Sequence, residues 1–245
     1  MPSPSKNQFE MSNQFTPENS ALVLVDYQVG TLQLIRNNSS DQSLRNAVML
    51  AKAAKAYGMP IVLTTSQEDH IQGPLAPALQ HISPEAYKNR VKRVGIVNAW
   101  SDPNFSAAVE ATGRKKLIMG GVTTDICLIF PSISAVQAGF DVQAVMDASG
   151  SSYEMQEEMS RRRMERAGVL LTTTNTIRLS AGIRGKQLTI GNSACQGFWL
   201  HSAVDTQRMD GNLGLAWVSG VSARVGRTGE DTEIVGPSQA GPQGV

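Results

Sequence analysis

The run Gly120-Gly121-Val122-Thr123-Thr124-Asp125-Ile126-Cys127 decides how this chain is read. It follows the apolar segment Leu117-Ile118-Met119 and opens a segment with helical character. A cysteine is thereby set in the first turn of a helix, at the carboxyl end of a strand. The N–H groups and partial positive charge of a helix N-terminus stabilise a thiolate and can hold an oxyanion. Cys127 is therefore either a nucleophile or a small buried hydrophobe, the commoner fate of a cysteine. The surrounding segments decide between the two.

Upstream, Ala21-Leu22-Val23-Leu24-Val25 is a continuous apolar run that ends at Asp26. It has the length and branching of a parallel strand covered on both faces. Helical spacing over 41–57 stops at Gly58, and Ile61-Val62-Leu63-Thr64-Thr65 reads as the next strand. Residues 69–83 read as a loop, and 91–96 as a weaker strand in which Lys92 and Arg93 must point in opposite directions. Asp102 is placed as the N-cap of a helix that starts with Pro103 and stops at Gly113. After the strand 116–119 comes a helix over 124–138, in which Pro131 should kink or delay the regular part. A strand over 142–146 ends at Asp147, a helix covers 154–167, and a strand covers 169–173.

Strands alternating with helices predict a three-layer α/β/α fold with a mostly parallel central sheet. Ligands bind such sheets beyond the carboxyl ends of the strands. Asp26, Thr64 to Ser66, Arg93, Gly121 to Cys127 and Asp147 all fall at or near such ends. Asp26, Arg93 and Cys127 make a workable constellation. A carboxylate can take the thiol proton, a cation can orient that acid, and the sulfur can attack an electrophilic carbon.

On these residues the chain resembles the isochorismatase-like, or cysteine hydrolase, superfamily, nearest its YcaC-like subgroup. The segments that carry the resemblance are Leu22–Gln28, Arg93–Trp100, Gly120–Cys127 and Asp147-Ala148-Ser149-Gly150, in family order, and it spans about 20–176. The resemblance implies the isochorismatase-like, Rossmann-like topology. It makes Asp26 the acid/base and Cys127 the nucleophile. The family's third member is usually lysine. Arg93 aligns there, with Lys92 as the competing assignment, and an arginine would act electrostatically rather than as a proton shuttle. The resemblance further implies a cis bond between Val122 and Thr123, with the Thr123 and Cys127 N–H groups facing the oxyanion. The reaction implied is cleavage of the C–N bond of a small amide through a thioester, without a cofactor. Cys127 argues against the vinyl-ether cleavage of true isochorismatases. A catalytically silent or thiol redox-sensing protein on the same scaffold is the alternative.

Gln28, Ser66, Asn98 and Trp100 are candidate substrate-pocket residues, with Trp100 equally readable as a core or interface aromatic. No metal is expected. Glu68-Asp69-His70 offers an acid and a histidine where related nicotinamidases hold a metal, but no second histidine follows before His81. His81 and His201 read as surface residues, and Cys195 as a free thiol without a role.

Composition sets the remaining expectations. A formal net charge of +1 gives no case for nucleic acid or an anionic membrane. Two cysteines make no disulfide framework, and no signal segment or membrane-length apolar run is seen. The expectation is a cytoplasmic protein, and the family resemblance implies a homo-oligomer acting on a small molecule. Residues 1–20 read as a disordered leader and 21–176 as the hydrolase domain. Residues 177–245 read as an irregular, partly disordered extension; 12 of the 22 glycines fall within it.

Overall fold

The computed structural model describes residues 14–177, and all that follows concerns these residues. Six strands form one sheet: β1 Ser20–Val25, β2 Ile61–Ser66, β3 Val91–Arg93, β4 Lys116–Gly121, β5 Asp141–Val145 and β6 Leu170–Thr172. Their order is β3-β2-β1-β4-β5-β6, and every neighbouring pair is parallel. The helices are α1 Val29–Leu32, α2 Ser40–Ala56, α3 Pro77–Ile82, α4 Pro84–Lys88, α5 Pro103–Glu110, α6 Ile129–Gln137 and α7 Glu154–Arg166.

The apolar run of β1 explains why the sheet is central. Leu22 and Leu24 pack on one side with Ala47, Leu50 and Ala51 of α2. Ala21, Val23 and Val25 pack on the other with Phe105 and Val109 of α5 and Met164 of α7. Alternate side chains of one strand thus enter two separate cores, which is why every position of that strand is buried. The result is a three-layer α/β/α sandwich.

Chain direction across the sheet reverses between β1 and β4. From β1 the chain moves outward through β2 to β3, then returns to β4 and continues outward through β5 to β6. Such a reversal opens a crevice at the carboxyl ends of the two central strands. Asp26 follows β1, and Val122 to Cys127 follow β4.

The structure corrects three boundaries. Phe15 and Thr16 are buried, and Phe15 joins the core beside Leu22, so the ordered chain begins ahead of the expected leader boundary at residue 20. Residues 1–13 and 178–245, which hold the rest of the expected leader and extension as well as Cys195 and His201, lie outside the described residues. The third strand stops at Arg93 rather than continuing to Ile96, because Gly95 takes a left-handed φ of +99° and turns the chain out of the sheet. The helix expected over 124–138 is divided. A π turn spans Thr124–Leu128, and α6 begins at Ile129. Pro131 then falls in the first turn of α6, where its missing N–H has no intrahelical acceptor to lose.

Asp102 caps α5 as expected, its carboxylate accepting from the N–H groups of Asn104 and Phe105. Among the described residues no helix is long and apolar enough to cross a membrane.

Candidate active site

Asp26 ends the first strand in a left-handed backbone conformation, φ +58°, unusual for a residue with a side chain. Its N–H donates to Thr64 O at 3.0 Å, while its own carbonyl accepts from the Gln28 N–H at 2.7 Å and from the Thr31 hydroxyl. The turn swings the carboxylate across the sheet end, where Arg93 meets it.

Arg93 is 3% exposed. One terminal nitrogen, Nη2, reaches both carboxylate oxygens of Asp26. Nε donates to Thr64 Oγ1 at 3.0 Å, and Nη1 donates to Ile96 O. Lys92 points the opposite way and lies exposed, 3.1 Å from Glu68 Oε2. Strand alternation therefore gives Arg93, and not its neighbour, to Asp26.

Cys127 occupies the π turn. Its thiol lies on the same cavity wall as the Asp26 carboxylate and interacts with it. Burial, followed by the neighbouring Asp26 carboxylate, pushes the thiol well above its ordinary range; Arg93 and the Thr123 backbone pull the other way. The helix-end environment expected to favour a thiolate is thus outweighed, and the resting side chain is a thiol. Asp26 is likewise raised by burial, against the lowering effects of Arg93 and of the thiol. Asp26 is thus buried, while Cys127 beside it is partly exposed on the cavity wall.

The Val122–Thr123 peptide is cis. The Cys127 N–H donates to Thr123 O at 2.8 Å, so of the two amides expected to face an oxyanion, that of Cys127 is already engaged. The Thr123 N–H faces the sulfur instead.

These residues open onto a cavity of about 710 Å³, lined by Asp26, Arg93, Val122, Thr123 and Cys127 at its base. Much of the outer wall is apolar, with Val29, Leu34, Ile71, Ile96, Val97 and Ile126. Of the four pocket candidates, Ser66 lines this cavity. The other three are placed elsewhere, each for a visible reason. Gln28 is fully buried, and its amide clamps Ser66 from both sides, donating to its carbonyl and accepting from its N–H, while also donating to Gly73 O. Asn98 caps a short turn through the Trp100 N–H and donates to Ser134. Trp100 packs edge-on against Phe105 and Phe140 and lies partly buried against that core. Asp147 accepts from the N–H and hydroxyl of Thr174, a structural tie.

Sequence reading gave no role to Thr64, whose hydroxyl receives Arg93 and donates to Val91 O. A threonine one strand away from an arginine carries no local signal of such a bond. The apolar wall was equally hidden, because it is assembled from four separate loops.

Among the described residues, no three His, Cys, Asp or Glu side chains gather as metal ligands. Glu68 is held by Arg90, Lys92 and Thr65, and His70 is exposed.

The isochorismatase domain model matches residues 20–176. The probable hydrolase YcaC of Escherichia coli K12 is 41% identical over 154 residues, 63% of this chain and 73% of that protein. A crystal structure of the E. coli YcaC product, described as an octameric hydrolase of unknown specificity, superposes with a TM-score of 0.69 at 35% identity; the match covers 80% of this chain and 98% of that one. YcaC from Pseudomonas aeruginosa, solved with hexane-2,5-diol and covalent acrylamide, gives a TM-score of 0.70 at 36% identity, over 80% of this chain and 96% of that one.

Proposed function

Because the chain belongs to the isochorismatase family, we propose that it is a cysteine hydrolase that cleaves the C–N bond of a small amide through a thioester on Cys127. One observation carries this reading: Cys127 shares a cavity wall with a buried carboxylate that Arg93 already fixes.

The chemistry follows from that pair. The Arg93 guanidinium favours the Asp26 carboxylate against its burial, and burial keeps the proton on sulfur, so the working form we propose pairs a carboxylate with a thiol. Asp26 takes the thiol proton as the sulfur attacks the amide carbon, which avoids a free thiolate. The Thr123 N–H stands beside the sulfur and is placed to donate to the developing oxyanion. Collapse of the tetrahedral intermediate breaks the C–N bond, and Asp26 gives its proton to the departing nitrogen. Asp26 then takes a proton from water as that water attacks the thioester. Breaking the C–S bond releases the acid, and the proton returns to sulfur. Arg93 stays protonated throughout and keeps the carboxylate aimed.

The acrylamide bound covalently in the P. aeruginosa relative is in keeping with a nucleophilic thiol in such a site, since acrylamide alkylates thiols. The octameric state of the E. coli relative supports a homo-oligomer here.

A hydrolysis screen over small amides, ureas and hydroxamates, run on wild type beside Cys127→Ala, tests the proposal. Ammonia or amine release by wild type alone is expected. Equal release by both proteins would remove Cys127 from the mechanism.

A further inference from the structure

We propose that Arg36 is a substrate-recognition residue that takes a carboxylate at the end of the substrate remote from the scissile bond; this rests on the amide-hydrolase reading above. The ionisable side chains on the cavity wall are Asp26, Arg36, Arg93 and Cys127. Asp26 and Arg93 neutralise one another. Cys127 rests as an uncharged thiol. Arg36 is therefore the uncompensated charge of the wall, and among the described residues no carboxylate pairs with it.

Its guanidinium is held in place although it is exposed. Nη1 donates to Gln33 O and to Ile35 O, and among the described residues no acceptor meets the Nε and Nη2 edge. That edge is the one that receives a carboxylate through two parallel bonds. The backbone is also fixed relative to the nucleophile. The Arg36 N–H donates to Ser151 O at 2.9 Å, and the Thr124 N–H, at the start of the Cys127 turn, donates to the adjacent Gly150 O at 2.8 Å. One two-residue segment thus spaces the cation and the sulfur. Val29, Leu34 and Ile71 supply apolar wall, suited to a short hydrocarbon spacer. The substrate class is an amide joined through a few methylenes to a carboxylate.

The test compares two thiol reagents of equal length, 4-acrylamidobutanoate and its neutral carboxamide counterpart, on the full chain. Labelling of Cys127 is followed by peptide mass mapping, and the readout is the ratio of the two rates. In wild type the anionic reagent is expected to lead by about fivefold, the modest gain of a solvent-exposed charge contact. That lead should shrink with added salt. Arg36→Gln should bring the ratio down to about one, and Arg36→Lys should retain part of it. A thermal melt verifies that each variant is folded. Equal ratios in wild type and Arg36→Gln would overturn the proposal while leaving the cysteine reading intact. Failure of both reagents to label Cys127 would remove the cysteine reading, and this proposal with it.

Discussion

Asp26 serves two partners at once, the guanidinium of Arg93 and the thiol of Cys127. Its charge helps keep the thiol protonated. Asp26→Asn therefore separates acidity from catalysis. Without the carboxylate the thiol should titrate at lower pH, read from thiolate absorbance, while amide turnover falls by about 10²–10⁴-fold for want of a base. A turnover that rose along with thiolate content would contradict the assignment. The variant also strands the buried Arg93 cation, so a stability loss of about 3–5 kcal/mol should accompany it in denaturant melts. Because burial raises the Asp26 carboxyl in the fold, the native protein holds that proton more tightly than the unfolded chain. That contribution to stability is present at low pH and is lost as the pH rises through the raised value. The acid limb of kcat/KM should accordingly sit above the ordinary carboxylate range.

At the scale of elements, the short third strand matters because Arg93 ends it. Glu68 pins that edge through Arg90, Lys92 and Thr65, and its carboxyl is held down to about 2 from 4.5, chiefly by the Arg90 hydrogen bonds. A lowered acid stabilises the fold above its unfolded value and loses that effect as the pH falls toward the folded one. The stability advantage of wild type over Glu68→Gln should be complete above pH 4.5 and should vanish as the pH approaches 2, followed by circular dichroism. A pH-independent gap would contradict this. The same edge shows what a linear reading can and cannot find. β1 was legible because a doubly buried strand leaves an unbroken apolar run. That Arg93 and Lys92 point opposite ways was legible from strand alternation, but which of them meets Asp26 was not. The end of β3 at Arg93 was not, since Val94, Ile96 and Val97 look like strand but line or flank the cavity mouth. Gly120 and Gly121 marked the nucleophile turn without giving their reason. A Cβ on Gly120 would collide with the Tyr27 hydroxyl, and one on Gly121 would come within 3.2 Å of the Cys127–Leu128 backbone.

At the scale of the whole molecule, alternation of strands and helices was enough to predict the sandwich and a site beyond the carboxyl ends of its strands, whereas the switch point between β1 and β4 emerged only from the strand order. Non-local packing was out of reach. Phe15 was read as leader because its neighbours are polar, yet it is buried in the core, with the Lys116 ammonium over its ring. Trp100 was offered as pocket wall because it follows a strand, and two phenylalanines hold it against the core. Assembly is the other property of this scale. The proposed homo-oligomer predicts a light-scattering mass several times the 26.3 kDa of one chain, and a monomer at micromolar concentration would contradict it.

The central claim is that the sulfur of Cys127 becomes covalently joined to the acyl half of the substrate. Acid-quenching a turnover mixture and weighing the intact protein tests it most directly. The account predicts a mass gain equal to the acyl group, mapped to the peptide that contains Cys127, and neither adduct nor turnover in Cys127→Ala. Undiminished turnover by Cys127→Ala would contradict it.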